Sequence, residues 1–238
     1  MSALELITYN IRKGKGASGR SKTAFSGVRD ALREHPVDIV LVQEAFHAHH
    51  RDHHQSDELA EALGYSAFYE PNKTRKVGHH GNTTLTPHRA LAVQNFDIST
   101  NPIERRGALY VKLETPIGVV HVMNVHLGLN QRQRRRQLDA IGEIIGTHCP
   151  DGQPLILAGD FNDWNHRMDR VVRSELGLDN AFGELTHAPK TWPAGRPLLK
   201  LDRVYVRGLS PERTALMDGA PWNQLSDHLP LRARLTRP

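Results

Sequence analysis

The 238-residue sequence holds a single cysteine, Cys149, which excludes an intrachain disulfide and any metal site built on several thiolates. Aromatic residues make up only 6% of the chain, too few for an extended platform on which successive bases of a single strand could stack. No stretch approaches the ~20 apolar residues that a membrane span needs. The opening Met-Ser-Ala-Leu-Glu-Leu-Ile-Thr-Tyr has neither a basic n-region nor a long apolar h-region, so no signal peptide is visible and a cytoplasmic location is expected. Neither sign of charge dominates: 31 Lys and Arg against 26 Asp and Glu give a net +5, a slight bias toward anionic partners. Linkers, repeats and low-complexity tracts are also missing, so a single domain over residues 1–238 is expected, and no obligate protein partner is evident.

What is present is an alternation of apolar strand-like runs and helix-period segments. Leu4 to Tyr9 reads as a strand ending at Asn10, and a Gly/Lys-rich turn follows. Ala24, Phe25, Val28, Ala31 and Leu32 repeat at helical spacing until Pro36. Val37 to Val42 and Pro154 to Ala158 are continuous apolar runs, as expected of strands buried on both faces. The first delivers Gln43 and Glu44 at its end, the second Asp160. Further strands are expected at Tyr65–Tyr69, Ala90–Gln94, Ala108–Leu113, Gly118–Val125, Val204–Val206 and Leu231–Leu235, with a long amphipathic helix beginning near Asn130. The order predicts an α/β fold, two packed mixed β-sheets flanked by helices, with any ligand site beyond the strand ends.

The polar residues just past the apolar runs are Asn10, Glu44, His126, Asp160, Asn162, Asp202, Asp227 and His228. Carboxylate and amide oxygens without cysteine suit a hard divalent cation, Mg²⁺ or Mn²⁺, better than zinc. Histidines and asparagines beside such an ion could hold a phosphate and orient a water, the equipment of phosphoester hydrolysis. Each residue alone has a plainer reading: Glu44 as a solvated strand end, Asp160 to Asp163 as the cap of a helix starting near Trp164, Asp227-His228 as a turn before Pro230.

Taken in order, Thr8-Tyr9-Asn10-Ile11, Val42-Gln43-Glu44, Gly81-Asn82, Asn124-Val125-His126-Leu127, Gly159-Asp160-Phe161-Asn162, Leu201-Asp202-Arg203-Val204-Tyr205-Val206 and Ser226-Asp227-His228-Leu229-Pro230 resemble the motifs of the endonuclease/exonuclease/phosphatase superfamily, the fold of DNase I. The resemblance runs from Leu4 to Leu235. It implies a four-layer sandwich and a divalent-metal-dependent phosphodiester hydrolase. Glu44 would be the main metal ligand, with Asn10 and Asp227 completing or supporting the site. Asp160 would take a proton from the attacking water and Asn162 would position that water or the phosphate. His228, oriented by Asp202, and His126 would each hold a phosphate oxygen. Nucleic acid is the expected substrate, with a phospholipid or small phosphoester as the alternative and a non-catalytic phosphate-binding module as a remote one. The pattern departs from the family's where Thr83-Thr84-Leu85-Thr86-Pro87 follows Gly81-Asn82, and no aromatic-rich segment of the abasic-site endonuclease kind is found.

Several features bear on substrate choice. Asn82, His80 and Arg106 are expected to contact substrate, and His79 to border the cleft. His47, His49, His50, His53 and His54 read as a solvated loop, because His-x-His-His has no closed-site geometry of its own. Arg132, Arg134, Arg135 and Arg136 crowd a helix start, where cations oppose the dipole; they read as an anion site or a solvated face. Arg12-Lys13-Gly14-Lys15-Gly16 is expected to rim the cleft. Trp192 and Trp222 read equally as cleft-edge or core residues, and Trp164 as core.

Overall fold

The computed structural model describes residues 2–21, 24–50 and 54–238. Its organisation follows from alternation within the first strand. In β1 (Ala3–Asn10), Leu4 and Leu6 point into one apolar layer while Ile7 and Tyr9 point into another. A strand apolar on both sides must be covered on both sides. The same holds for β2 (Ile39–Ala48), where Ile39 and Leu41 join the first layer and Val40 and Val42 the second.

The chain continues through α1 (Ala24–Glu34), α2 (Gln55–Leu63), β3 (Ser66–Arg75), β4 (Gly78–Thr86), β5 (Arg89–Asp97), β6 (Gly107–Thr115) and β7 (Gly118–His126). It then forms α3 (Gln131–His148), β8 (Leu155–Asp160), α4 (Arg167–Glu175), β9 (Asp179–Asn180), β10 (Asp202–Arg207), β11 (Ser210–Leu216), α5 (Trp222–Leu225) and β12 (Leu231–Thr236). One six-stranded sheet has the order β11-β12-β1-β2-β4-β3, the other β5-β6-β7-β8-β10-β9. Both are mixed: β1 pairs parallel with β2 and β7 parallel with β8, and the other pairings are antiparallel. The sheets face each other across Leu4, Leu41, Val111, Val122, Ile156 and Val204. α1, α2 and α5 cover the outer face of the first sheet, and α3 and α4 that of the second. This is the four-layer arrangement the sequence predicts. No helix among the described residues is long and apolar enough to cross a membrane.

Three strands escaped the sequence reading: β4, the two-residue β9, and β11. β4, Gly-His-His-Gly-Asn-Thr-Thr-Leu-Thr, has almost no apolar signal, yet every residue from His80 to Thr86 is buried. Its Asn82 side chain and Thr83 carbonyl are used between the sheets. Asn82 donates to the Gly107 and Asn124 carbonyls, both at 3.1 Å, and Asn124 donates to Thr83 (2.9 Å) and Val42 (3.1 Å). Gln43 of β2 completes the lattice with bonds to Asn124 Oδ1 (2.8 Å) and Thr8 Oγ1 (3.1 Å). A buried network of this kind ties the two sheets in one register.

Backbone crowding explains the glycine of Gly-Asp-Phe-Asn. Gly159 has φ +141°, and a Cβ there would lie 1.9 Å from the Val125 carbonyl oxygen of the neighbouring strand. Gly159→Ala is therefore expected to destabilise the fold by about 3 kcal/mol or more, read as a fall in the urea midpoint. An unchanged midpoint would contradict this packing.

Candidate active site

The parallel strands β1, β2, β7 and β8 carry Asn10, Glu44, His126 and Asp160 to one end of the sandwich. His126 is the register partner of Asp160, which is in turn the partner of Asp202 on antiparallel β10, so three polar residues line up across three strands. Asp227 and His228 enter from the connection between α5 and β12, beside β1. Ser226 Oγ fastens that connection by donating to the Asn10 carbonyl at 2.6 Å. Arg12, Lys13, Arg106, Leu129, Trp164 and Trp192 surround these groups in one open cleft.

Asp160, almost fully buried, is the hub. Its Oδ2 accepts from Asn10 Nδ2 (3.0 Å) and lies 3.4 Å from His126 Nε2 and 3.8 Å from His228 Nε2. Oδ1 accepts from the Asn162 backbone N–H at 2.9 Å, while the Asn162 side chain donates to the Leu127 carbonyl at 3.0 Å. His228 Nδ1 faces Asp202 Oδ2 at 2.8 Å. Burial lifts the Asp160 carboxyl to about 6, against the pull of the neighbouring His228. Burial disfavours a charged His228 ring, yet the Asp202 and Asp160 carboxylates outweigh that and push it up to about 10. His126 goes the other way: burial, with Arg106 nearby, holds it well below the usual imidazole range and so neutral at pH 7.

Glu44 sits where β2 slips register between Val42 and Ala45, in a left-handed conformation with φ 60°. The bulge turns its carboxylate into the cleft while the strand runs on to Ala48. Sequence reading placed Glu44 at a strand end because a bulge leaves no hydrophobic signature. Lys13 pairs with the Glu44 carboxylate, and Arg12 Nε lies 3.3 Å from Asp227 Oδ2. Burial favours a neutral Glu44, but the Lys13 ammonium keeps its carboxyl below the ordinary range. An ammonium already stands against Glu44, and oxygen donors of Asn10, Asp160 and Asp227 border the same cleft. This donor set fits a hard divalent cation. Asp160, Asp202 and His228 form the one trio among the described residues whose ligand atoms lie within 4.8 Å of one another.

Of the expected substrate contacts, Arg106 lines the cleft, held by Glu104 at 2.9 Å. His80 is buried in a side pocket with Lys13, Lys15 and Phe46. Asn82 is outside the cleft lining, its amide spent between the sheets. His79 faces away, toward Tyr69 and His47.

Other expectations are corrected. Trp164 is 55% exposed on the cleft rim, because α4 starts only at Arg167, whereas Trp222 is core, edge-on to Tyr9. Arg134 is buried against the Gly128 and Leu129 carbonyls, and Arg135 forks onto Glu175, so these two have structural partners in place of an anion. His47 lies buried in β2, not in a solvated loop; His53 is outside the described residues. Leu129 on the rim carries no sequence signal, since a lone leucine after a strand has no period.

A two-sheet sandwich with buried carboxylates and imidazoles gathered at the strand ends defines the class of phosphoester-hydrolase folds. The sequence pattern of the Endonuclease/Exonuclease/phosphatase family matches residues 7–228, and the chain belongs to that family, whose members are hydrolases acting on phosphoester bonds. It is 35% identical over 245 aligned residues to YbhP of Escherichia coli (strain K12), covering 98% of this chain and 96% of that protein. The fold matches that of D. rerio TDP2 complexed with a single-strand DNA product (TM-score 0.77, 18% identity, 99% of this chain and 100% of that one). It also matches a mannosyl-6-phosphatase, Bt3783, of Bacteroides thetaiotaomicron VPI-5482 (TM-score 0.74, 18% identity, 98% and 99%).

Proposed function

We propose that the chain is a divalent-metal-dependent phosphodiester hydrolase acting on nucleic acid, a nuclease. The observation that carries this reading is the Asp160 carboxylate, raised toward neutrality and flanked by His126, His228 and Asn10. A phosphodiester anion repels hydroxide, so hydrolysis needs a base for the water and positive charge at the phosphoryl oxygens. Asp160 takes the proton of a water attacking in line with the leaving oxygen. Asn162, whose backbone N–H holds Asp160 Oδ1, positions that water or the phosphate. His228, kept protonated by Asp202, donates to one non-bridging oxygen, and neutral His126 donates to a second. Arg106, Arg12 and Lys13 draw the polyanion to the cleft, and His80 backs the Glu44 side of it.

Glu44, supported by Asn10 and Asp227, would hold Mg²⁺ or Mn²⁺ once Lys13 swings aside. Bound there, the ion would supply positive charge at the leaving oxygen. Activity is accordingly expected to vanish in EDTA. Glu44→Gln is expected to raise the Mg²⁺ concentration for half-maximal rate by about tenfold or more. An unchanged Mg²⁺ dependence would remove Glu44 from the site.

Nucleic acid is favoured by the cations on the rim together with Trp164 and Trp192, two rings available to stack on bases. The exposed Leu129 and Trp164 support a second reading, a phospholipid or small phosphoester presented to the same core. One panel separates them: plasmid, abasic duplex, RNA, phospholipid vesicles and chromogenic mono- and diesters, each with Mg²⁺, Mn²⁺ or EDTA. A nuclease cuts the polynucleotides and loses affinity steeply with salt. Turnover of vesicles or monoesters alone would replace the nuclease reading, and no turnover at all would leave a phosphate-binding module.

A further inference from the structure

Three residues beyond Glu44 on β2, a second polar cluster lies outside the cleft. The His47 ring is sandwiched between Tyr69 (centroids 3.6 Å apart, 15° between planes) and His54 (4.3 Å, 6°). His79, its register partner on β4, lies 5.2 Å from His47, 6.4 Å from His54 and 5.8 Å from His49. Four imidazoles thus meet from three segments: the end of β2, the residue capping the start of α2, and β4.

Hydroxyl groups already orient two of these rings. His47 Nε2 faces Ser56 Oγ at 2.8 Å and His79 Nδ1 faces the Tyr69 hydroxyl at 2.7 Å, leaving His79 Nε2 as that ring's other nitrogen. Such a fixed second nitrogen is the usual setting of a metal-ligating histidine. His54 Nδ1 is buried with no hydrogen-bond partner. Burial, with His54 and His79 nearby, holds His47 at about 4, and burial with His49 and His54 nearby lowers His79. Both rings are therefore neutral near pH 7, the form that binds metal.

We propose that His49, His54 and His79 form a site for a borderline transition-metal ion of the Zn²⁺ kind, with His47 packed beneath it and the Tyr69 hydroxyl orienting His79. Tetrahedral coordination at Zn–N distances near 2.1 Å places imidazole centroids about 5 Å apart; His79 stands 5.8 Å from His49 and 6.4 Å from His54, so both rings must draw in toward it. The nitrogens are not yet gathered within ligand reach of one another. Closing the site requires His54 to rotate off the His47 stack and the exposed His49 side chain to swing toward His79. All donors are imidazole nitrogens, which suit Zn²⁺, Ni²⁺ or Cu²⁺ and not Mg²⁺. The site is independent of the phosphodiesterase reading.

The test is a calorimetric Zn²⁺ titration of EDTA-stripped protein in excess Mg²⁺, on the wild type, on Asp160→Asn and on a His49→Ala/His79→Gln variant. The expected result is one equivalent of Zn²⁺ bound equally by wild type and Asp160→Asn, and about tenfold or more weakened by the double histidine change. Loss of the equivalent in Asp160→Asn would put the ion in the cleft and overturn the proposal, as would equal binding by the double variant. Should that variant not fold, as judged by circular dichroism, Co²⁺ added to wild type and to His49→Ala decides. Intense visible bands of a four-coordinate site, diminished in His49→Ala, support the site. Only the weak bands of six-coordinate Co²⁺, or bands indifferent to His49, refute it.

Discussion

Asp160→Asn is expected to lower kcat by about 10³-fold while leaving the protein folded, because the amide cannot accept the proton of the attacking water. The size of the carboxylate is kept, and so is the oxygen that accepts from Asn162. Stability should not fall at neutral pH. A carboxyl raised in the fold is favoured when protonated: its contribution is fully present below the unfolded value of 3.8 and is lost as pH rises through about 6. At pH 7 the charged Asp160 is a burden that asparagine removes, so the thermal midpoint of the metal-free variant should equal or exceed that of the wild type. In the wild type, kcat/KM should rise through a pH near 6 as Asp160 ionises and fall near 10 as His228 loses its proton. Retained turnover in folded Asp160→Asn would remove the carboxylate from the chemistry.

His228→Ala should have a comparable kinetic effect with the opposite structural one. Losing a charged donor to the phosphoryl oxygens costs about 10²–10³ in kcat. It also leaves Asp202 and Asp160 buried without their shared cation, which should destabilise the fold by about 3 kcal/mol at neutral pH. The sign follows from the raised imidazole: its contribution is fully present below 6.5 and is lost as pH rises through about 10. Asp202→Asn gives the control for positioning. It keeps the ring in place but withdraws the charge that holds the proton, so the alkaline limb of the pH profile should move down. An unmoved limb would mean that Asp202 merely fills space.

Much of the fold was legible because the inner strands are apolar on both faces. Leu4–Tyr9, Val37–Val42 and Pro154–Ala158 announce themselves by composition, and the capping box of Asn130 and Gln133 marks the start of α3. β4 was illegible for the converse reason. Its Asn82 amide is spent on the opposite sheet and its Thr86 hydroxyl on the Asp38 carbonyl, and no hydrophobic period records that. Asn10, Glu44, His126, Asp160, Asn162, Asp227 and His228 line one cleft, with Asp202 behind His228, since strand order carries them to the same end, whereas Asn82 and His80 lie outside it. Motif spacing could not reveal that Glu44 rides a bulge, that Lys13 meets it, or that Asn82 is turned inward. Neither could it separate Trp164 from Trp222: one tryptophan beside a turn looks like another until the start of the neighbouring helix is fixed.

The division of the cleft between the sheets has a temporal side. Asn10 and Glu44 stand on one sheet and His126 and Asp160 on the other, and His228 reaches its partner Asp202 only from the connection that leads into β12, which lies against β1. A chain emerging from the ribosome therefore has its base long before it has the cation that completes the pair. Under the proposed mechanism the site stays incomplete until the connection carrying His228 has docked and β12 has paired with β1.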